Sequence, residues 1–358
     1  MARFLMVDVG AGTMDILYFN EGTGTSYKAV ARSPVLSLAE KAASLPGNLL
    51  VTGREMGGGP ITQVLQMRTR QAEVVMTASA ALTIHHDLQR VESMGIRIVE
   101  NEEAEELKRS RRYSTLEIGD IEPHRLEKVV QGLGVDFEFD VVAVCAQDHG
   151  TAPPGVSHLD YRHNLFKSFL DKSPLPQTLL FSLEALPATF NRLKSIGDVA
   201  RMLPTREVYV MDSGMAAIAG ASREIRALGK NRILVLDVAT SHTVGAALEG
   251  DEIAGFFEYH THQVTLERLE GLVRELADGD LEHQRILAEG GHGAYVRKAL
   301  GYEAIEIIVA TGPKRDLLMN STLPIVYGAP FGDNMMTGTV GLLESVRKLK
   351  GLGPLPYR

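Results

Sequence analysis

Residues 4–15 read FLMVDVGAGTMD and residues 233–243 read ILVLDVATSHT. In each, an apolar run ends in Asp-Val, a turn of small residues follows, and a second apolar run begins. The first predicts a buried strand Phe4 to Val9, a tight turn at Gly10, Ala11 and Gly12, and a return strand Thr13 to Phe19. The second repeats the plan, with polar and small residues at Thr240 to Thr243. Glycines in such a turn remove side chains that would keep a phosphate from the backbone N–H groups, and the Thr13 hydroxyl adds a further donor. Asp8 and Asp237, each at the mouth of its hairpin, are the residue type that holds Mg²⁺, directly or through water. Two such loops face to face would clamp a phosphate chain and its metal from both sides.

Other phosphate motifs do not fit. A GxGxxG fingerprint would need its third glycine at Asp15, and strand rather than helix follows. No GxxxxGK followed by Ser or Thr occurs anywhere.

The 358 residues exceed what one core usually holds, so two domains are expected. The 44% hydrophobic content is globular, and no apolar run approaches a membrane span. The N-terminus enters a strand directly, without a signal-like region, so a cytoplasmic protein without membrane contact is expected. The net charge of −8 and the short basic runs at 108–112 and 313–315 argue against nucleic acid as a partner. A single cysteine, Cys145, excludes an internal disulfide framework and any iron–sulfur cluster built from the chain's own thiolates.

Along the chain, strands and helices alternate from Pro34 to about Gly134, an α/β pattern. Helical stretches are expected near 61–70, 81–94 and 101–111. A buried strand follows at Phe139 to Cys145, then a loop QDHGTAPPG, helices at Tyr161 to Leu170 and near 188–203, and a strand at 207–211. Residues 232–258 hold three further strand-like segments, a partner for the strand-rich start. Helices are expected over Val264 to Leu276 and Asp333 to Leu349, with a buried strand at 306–310.

In order, these motifs resemble those of the superfamily containing actin, the heat-shock chaperone ATPases and the sugar kinases. DVGAGT and DVATSHT resemble its two phosphate loops. MDSGMAAIAGA at 211–221 and GDNMMTGTVGLLE at 332–344 resemble its connecting helices, and ATGPKR at 310–315 resembles its adenosine loop, with only Gly312 where successive glycines are usual. The resemblance implies a two-lobed actin-like ATPase fold, ribonuclease H-like lobes duplicated about an interlobe nucleotide cleft. Lobe I would be 1–228 completed by 333–358, and lobe II 229–332. ATP with Mg²⁺ would be held by Asp8, Gly10, Gly12, Thr13, Asp237, Thr240, Ser241, Gly312 and Lys314, with Asp8 and Asp237 on the metal.

By the same resemblance Asp212 is the base that accepts a substrate hydroxyl proton, although an N-cap role fits its position equally. CAQDHG at 145–150 is similar to the sugar-kinase segment at the sugar site, so Gln147, His149, Asp160 and Arg162 are candidate contacts to a polar or anionic substrate. The whole chain also resembles a family labelled as pyruvate formate-lyase activators, whose radical chemistry needs a cluster that one cysteine cannot build. Activators that pass electrons to dehydratases share the fold class but use cysteines between the lobes.

Three roles stay open. One is phosphoryl transfer to a small hydroxylated or carboxylated metabolite; another is an ATP-hydrolysing switch acting on a protein client; the third is nucleotide binding without turnover. His260 and His262 alternate along a strand, but two ligands make no closed metal site. The GGGP at Gly57 to Pro60 reads as a loop before a helix, with an anion site as the alternative. Cys145 reads as inert core.

Overall fold

The computed structural model describes residues 2–153, 155–227, 229–353 and 355. The expected lobe boundary at 228 and the last expected residues 354 and 356–358 lie outside them.

The chain opens with an antiparallel meander, β1 (Arg3–Val9), β2 (Thr13–Asn20) and β3 (Thr25–Arg32). A separate sheet follows, made of β4 (Asn48–Gly53), β5 (Val74–Thr77), β6 (Ile96–Val99) and β7 (Tyr113–Ile118), all parallel in the order β6-β5-β4-β7. The chain then returns to the first sheet with β8 (Phe139–Ala146), β9 (Leu180–Ser182) and β10 (Thr205–Asp212). That sheet has the order β3-β2-β1-β8-β10-β9, with β1, β8 and β10 parallel. The second half supplies β11 (Arg232–Val238), β12 (His242–Glu249), β13 (Glu252–His260), β14 (Gly293–Val296), β15 (Ile307–Thr311) and β16 (Ile325–Tyr327). They form a sheet in the order β14-β13-β12-β11-β15-β16, with β11, β15 and β16 parallel.

Both main sheets therefore contain a three-strand antiparallel meander whose first strand pairs in parallel with a later strand, which in turn pairs in parallel with another, the ribonuclease H-like plan. The copies agree in detail. β1 and β11 have seven residues each with the same sequence of buried and half-buried positions, and β2 and β12 have eight each, again with the same pattern. Asp8 and Asp237 occupy the same place in this repeat, and Thr13 in the first copy corresponds to His242 in the second. The fold is the two-lobed actin-like one that the motifs imply.

Two helices, Ser213–Ala227 and Thr337–Leu349, join the lobes and cross each other. They approach backbone to backbone. A Cβ on Gly220 would collide with the Thr337 carbonyl, and one on Gly341 with the Ala216 carbonyl, so only glycine fits at the crossing. The principal hydrophobic core spans both lobes through these helices, taking in Phe4 and Val144 from the first sheet, Met215 and Val340 from the helices, and Val235 from the second sheet. The parallel sheet β4–β7 has its own core around Leu49, Met76 and Leu116.

Several expected elements differ. The run near 81–94 is two short helices, Ala78–Ala81 and Leu88–Ser93, because Asp87 caps a new helix by accepting a hydrogen bond from Gln89 N. The last helix begins at Thr337 rather than Asp333, since residues 334–336 form a 3₁₀ turn with Asp333 accepting from Met335 N. Strand β7, which follows the charged run at 101–112, carries only two buried apolar residues, Leu116 and Ile118, too short an alternation to be expected.

Candidate functional site

A cavity of about 740 Å³ lies between the lobes at the ends of β1 and β11. Its floor is the two hairpin loops. In the first, Gly10 N donates to Thr13 O, and Ser33 N donates to Gly12 O. Wholly buried Ser33 also donates through its hydroxyl to Gly10 O at 2.6 Å while capping the helix Pro34–Ser44. The loop is thus held by the start of the next helix. In the second, Thr261 does the same work: its N–H donates to Ser241 O and its hydroxyl to Ala239 O, both at 2.8 Å.

The loops face each other closely. A Cβ on Gly12 would sit 2.9 Å from the Thr240 hydroxyl, so this glycine lets the two turns meet. Gly312, at φ +89°, closes against the second loop, where a Cβ would come within 2.9 Å of Asp237 Oδ1, and its carbonyl accepts from Asn334 Nδ2 at 3.0 Å. Gly338 in the second connecting helix leaves the space that the Asp8 carboxylate occupies. Loop one, loop two, the 312 turn and the connecting helix therefore interlock around one point.

Acids concentrate at that point. Asp8 is pushed up to about 7, chiefly by burial, with the Cys145 thiol hydrogen bond opposing and the Asp237 charge adding. Asp15, directly across the hairpin from Asp8, is pushed up to about 8 by burial and by Asp8. Asp237 is raised to about 6 by burial, against a 3.1 Å hydrogen bond from Thr311. Three carboxylates crowded in this way favour whatever supplies positive charge among them, a proton or a hard divalent cation. The donor set fits Mg²⁺.

Of the expected nucleotide contacts, Asp8, Gly10, Gly12, Thr13, Asp237, Thr240, Ser241 and Gly312 all line the cavity; Lys314 does not. Of the expected substrate contacts, Gln147, His149 and Arg162 line it, and Asp160 does not. Asp160 instead meets His283 of lobe II at 3.1 Å, at the edge of the lobe interface.

Asp212 is 2% exposed and does not reach the cavity surface. Its Oδ1 accepts from Met215 N at 3.1 Å, an N-cap, and its Oδ2 pairs with Arg162 at 3.0 Å. Burial raises its pKa, Arg162 lowers it, and the upward effect wins. Arg162 in turn reaches across to Glu258 of β13 at 2.6 Å and lies over the Phe166 ring. Burial opposes a charged Glu258, yet Arg162 and the neighbouring imidazoles hold it well below the usual carboxylate range. Gln147 Nε2 also donates to Glu258. A carboxylate, guanidinium, carboxylate chain thus runs from lobe I into lobe II, with Asp212 behind the cavity wall and Arg162 and Glu258 in it.

Past Glu258 the wall is built of histidines. His242, His260 and His292, all of lobe II, bring one ring nitrogen each within 4.8 Å of the others, and His149 of lobe I packs against His292. Burial, aided by nearby Arg162, lowers His149 to about 3; burial also lowers His242 to about 4, where Glu258 opposes it. Both rings are neutral at ordinary pH.

Sequence reasoning missed Asp15, Ser33, Glu258, His242 and His292. The signal for Glu258 was there, an acid inside the apolar run GFFEYH, which a core strand does not keep unpaired. His242 and His292 are fifty residues apart with no short spacing to flag them. His260 and His262, which alone make no closed metal site, keep their rings 5.4 Å apart with His262 exposed, and the partners that the sequence does not flag are His292 and His242, which His260 also meets.

A family model described as "Putative pyruvate format-lyase activating enzyme (DUF1786)" matches residues 56–317. No curated protein matches the chain. Among solved structures, the ethanolamine utilization protein EutJ from Carboxydothermus hydrogenoformans is similar over 96% of this chain and 89% of its own, at 11% identity and a TM-score of 0.36. The PilM-PilN type IV pilus biogenesis complex matches over 98% of both chains, at 11% identity and a TM-score of 0.43. AlfA from a B. subtilis plasmid, solved as a filament, matches over 95% of this chain and 98% of its own, at 9% identity and a TM-score of 0.39.

Proposed function

We propose that this chain, which belongs to the DUF1786 family, binds a Mg²⁺-nucleotide between its lobes and transfers the terminal phosphoryl group to a small hydroxylated or carboxylated metabolite. The observation that carries this reading is the contact of Gly12 with Thr240, which sets two hairpin loops with equivalent aspartates across one cavity. Backbone N–H groups of both turns would cradle the phosphates, and Asp8 and Asp237 would hold the metal, which neutralises charge developing on the transferred group. The cavity continues from the loops into a polar chamber with Gln147, His149 and Arg162, room for an acceptor beside the phosphate end.

Asp212 can serve as base only if its Oδ2 parts from Arg162. The radical chemistry in the family description is a poor match for these residues. Cys145 is wholly buried in β8 with its thiol pushed well up, chiefly by burial, and a lone thiolate holds no iron–sulfur cluster.

A second reading, a switch that hydrolyses ATP and signals a protein client, is favoured by the Arg162 to Glu258 pair between the lobes, a contact that closure would strengthen or break.

The test is Mg-ATP binding followed by calorimetry and thermal unfolding. At 100 times the dissociation constant the fold gains about 2.7 kcal/mol, roughly a 4 to 5 °C rise in Tm when both lobes unfold as one unit. Asp237→Ala abolishes the Mg²⁺-dependent part and leaves binding in EDTA unchanged. γ-Labelled ATP with metabolite pools then gives a labelled small molecule from a kinase and only inorganic phosphate from a switch. No shift with any nucleotide, with or without Mg²⁺, overturns the reading.

A further inference from the structure

Three imidazoles of lobe II and one of lobe I stand together at the cavity, apart from the aspartates. The ring centroids of His242, His260 and His292 lie 4.3 to 4.7 Å apart, and His149 is 5.5 Å from His292 across the lobe boundary. His292 Nε2 is 2.9 Å from His260 Nε2, so two nitrogens of the same kind point at each other. His242 Nε2 is buried and has no hydrogen-bond partner among the described residues. The other nitrogen of His292, Nδ1, sits 3.3 Å from Glu258 Oε1.

We infer that His242, His260 and His292 form a binding site for a divalent transition metal of the zinc or ferrous type, separate from the Mg²⁺ position at Asp8 and Asp237.

Each part of the geometry has a role in such a site. Imidazole nitrogen suits Zn²⁺ and Fe²⁺, whereas Mg²⁺ takes oxygen, so the two groups of side chains select different ions. Nitrogens bound at about 2.0–2.1 Å in a tetrahedral shell stand roughly 3.3 Å apart, close to the His292 to His260 separation. A ligating histidine usually has a carboxylate on its far nitrogen, which orients the ring and raises its basicity, and Glu258 stands there for His292. Glu258 is itself anchored by Arg162. Three protein ligands leave the fourth position open, the arrangement of reactive rather than structural sites, and all three histidines line the cavity.

The fold repeat says where that open position faces. His242 takes, in the second copy, the place that Thr13 takes in the first, at the exit of the phosphate loop. A metal there borders the end of the cavity where an anionic oxygen of a carboxylate or phosphate would arrive. The chemical class of ligand is thus a small oxyanion, bound to the metal on one side and within reach of His149 on the other.

The experiment uses the full chain, stripped with a chelator and titrated with Co²⁺, whose visible absorption reports nitrogen coordination of low symmetry. Binding of one Co²⁺ per chain, displaced by Zn²⁺ and indifferent to excess Mg²⁺, is the expected result. His242→Ala and His260→Ala each weaken it by more than the 10- to 100-fold, on the order of magnitude, that loss of an outer partner costs. His262→Ala and Asp237→Asn leave it intact. X-ray absorption of the wild-type Co²⁺ protein, which needs no variant, shows three imidazole nitrogens.

Absence of stoichiometric Co²⁺ binding overturns the inference, as does binding that survives both histidine variants or is lost equally in His262→Ala or Asp237→Asn. None of these readouts involves nucleotide, so failure here and failure of the phosphoryl-transfer reading are distinguished.

Discussion

Arg162 is the side chain on which the lobe interface turns. It is 5% exposed and lies between two buried carboxylates, Asp212 at 3.0 Å and Glu258 at 2.6 Å. Removing one member of a buried ionic group leaves the others uncompensated, which costs about 3–5 kcal/mol. Arg162→Ala should therefore lower stability by roughly that amount in chemical denaturation, while Arg162→Lys recovers part of it by keeping the charge without the fork. A loss below about 1 kcal/mol would mean that water reaches the pair.

The crowded acids give a pH signature. Asp8 at about 7 and Asp15 at about 8 are raised above the ordinary 3.8, so the folded chain binds more protons than the unfolded one between those values. Their contribution is full at acid pH and is lost as pH rises through 7 and 8. His149 and His242 are lowered from 6.5 to about 3 and 4, so their effect runs the other way and is complete by about pH 6.5. In EDTA, stability should then fall with pH between about 6.5 and 8, by at most about 1.4 kcal/mol per unit for each acid. Added Mg²⁺ should flatten the fall, and Asp15→Asn should reduce it. A Tm that stays level across that window in EDTA would contradict this.

At the scale of elements, the crossing of the helices Ser213–Ala227 and Thr337–Leu349 sets the distance between the lobes. Gly220→Ala or Gly341→Ala places a methyl group against backbone that cannot yield as a side chain would. Each should cost at least about 1–3 kcal/mol and weaken nucleotide binding as well, because Gly338, on the helix that carries Gly341, packs against the Asp8 carboxylate. Gly132→Ala is the contrast: this helical glycine has open space around it, and the substitution should stabilise by about 0.4–1 kcal/mol. Urea denaturation of the three variants decides the matter, and equal effects would remove the close-packing argument.

At the scale of the molecule, the body and the inserted sheet are distinct. One core runs through both lobes and the two connecting helices, and a second, on the other face of the lobe II sheet, shares strands β11, β12, β13 and β15 with it, so these should unfold together. The sheet β4–β7 has a core of its own and is tied to the body by Asp120, which Arg192 clamps at 2.8 and 2.9 Å. Arg192→Ala should lower hydrogen-exchange protection at Leu49 to Val51 and Val74 to Met76 more than at Leu5 to Val7. Uniform loss across all three segments would show that the insert has no independent cooperativity.

The local pattern determined the hairpins, their acids and their order along the chain. An apolar run, an aspartate and a turn of small residues are read by neighbours in sequence, and two such motifs, in series with two connecting helices and the loop at 310–315, imply the two-lobed plan. Gly12, Asp8 and Asp237 were legible for that reason. What the chain cannot show by itself is which side chains meet across the lobes. Asp212 carried both a base and a cap in its sequence, and only folding showed its oxygens taken by Met215 N and Arg162. Asp160 read as a cavity residue and turned to His283 instead. The histidines at 242, 260 and 292 have no common spacing because they come from the start of one strand, the end of the next and the approach to a third. Register brings the first two opposite each other, His242 against His260, and the return of β14 beside β13 adds the third. Pairing between strands is a long-range property, fixed by burial of both faces of the sheet and invisible to any local pattern.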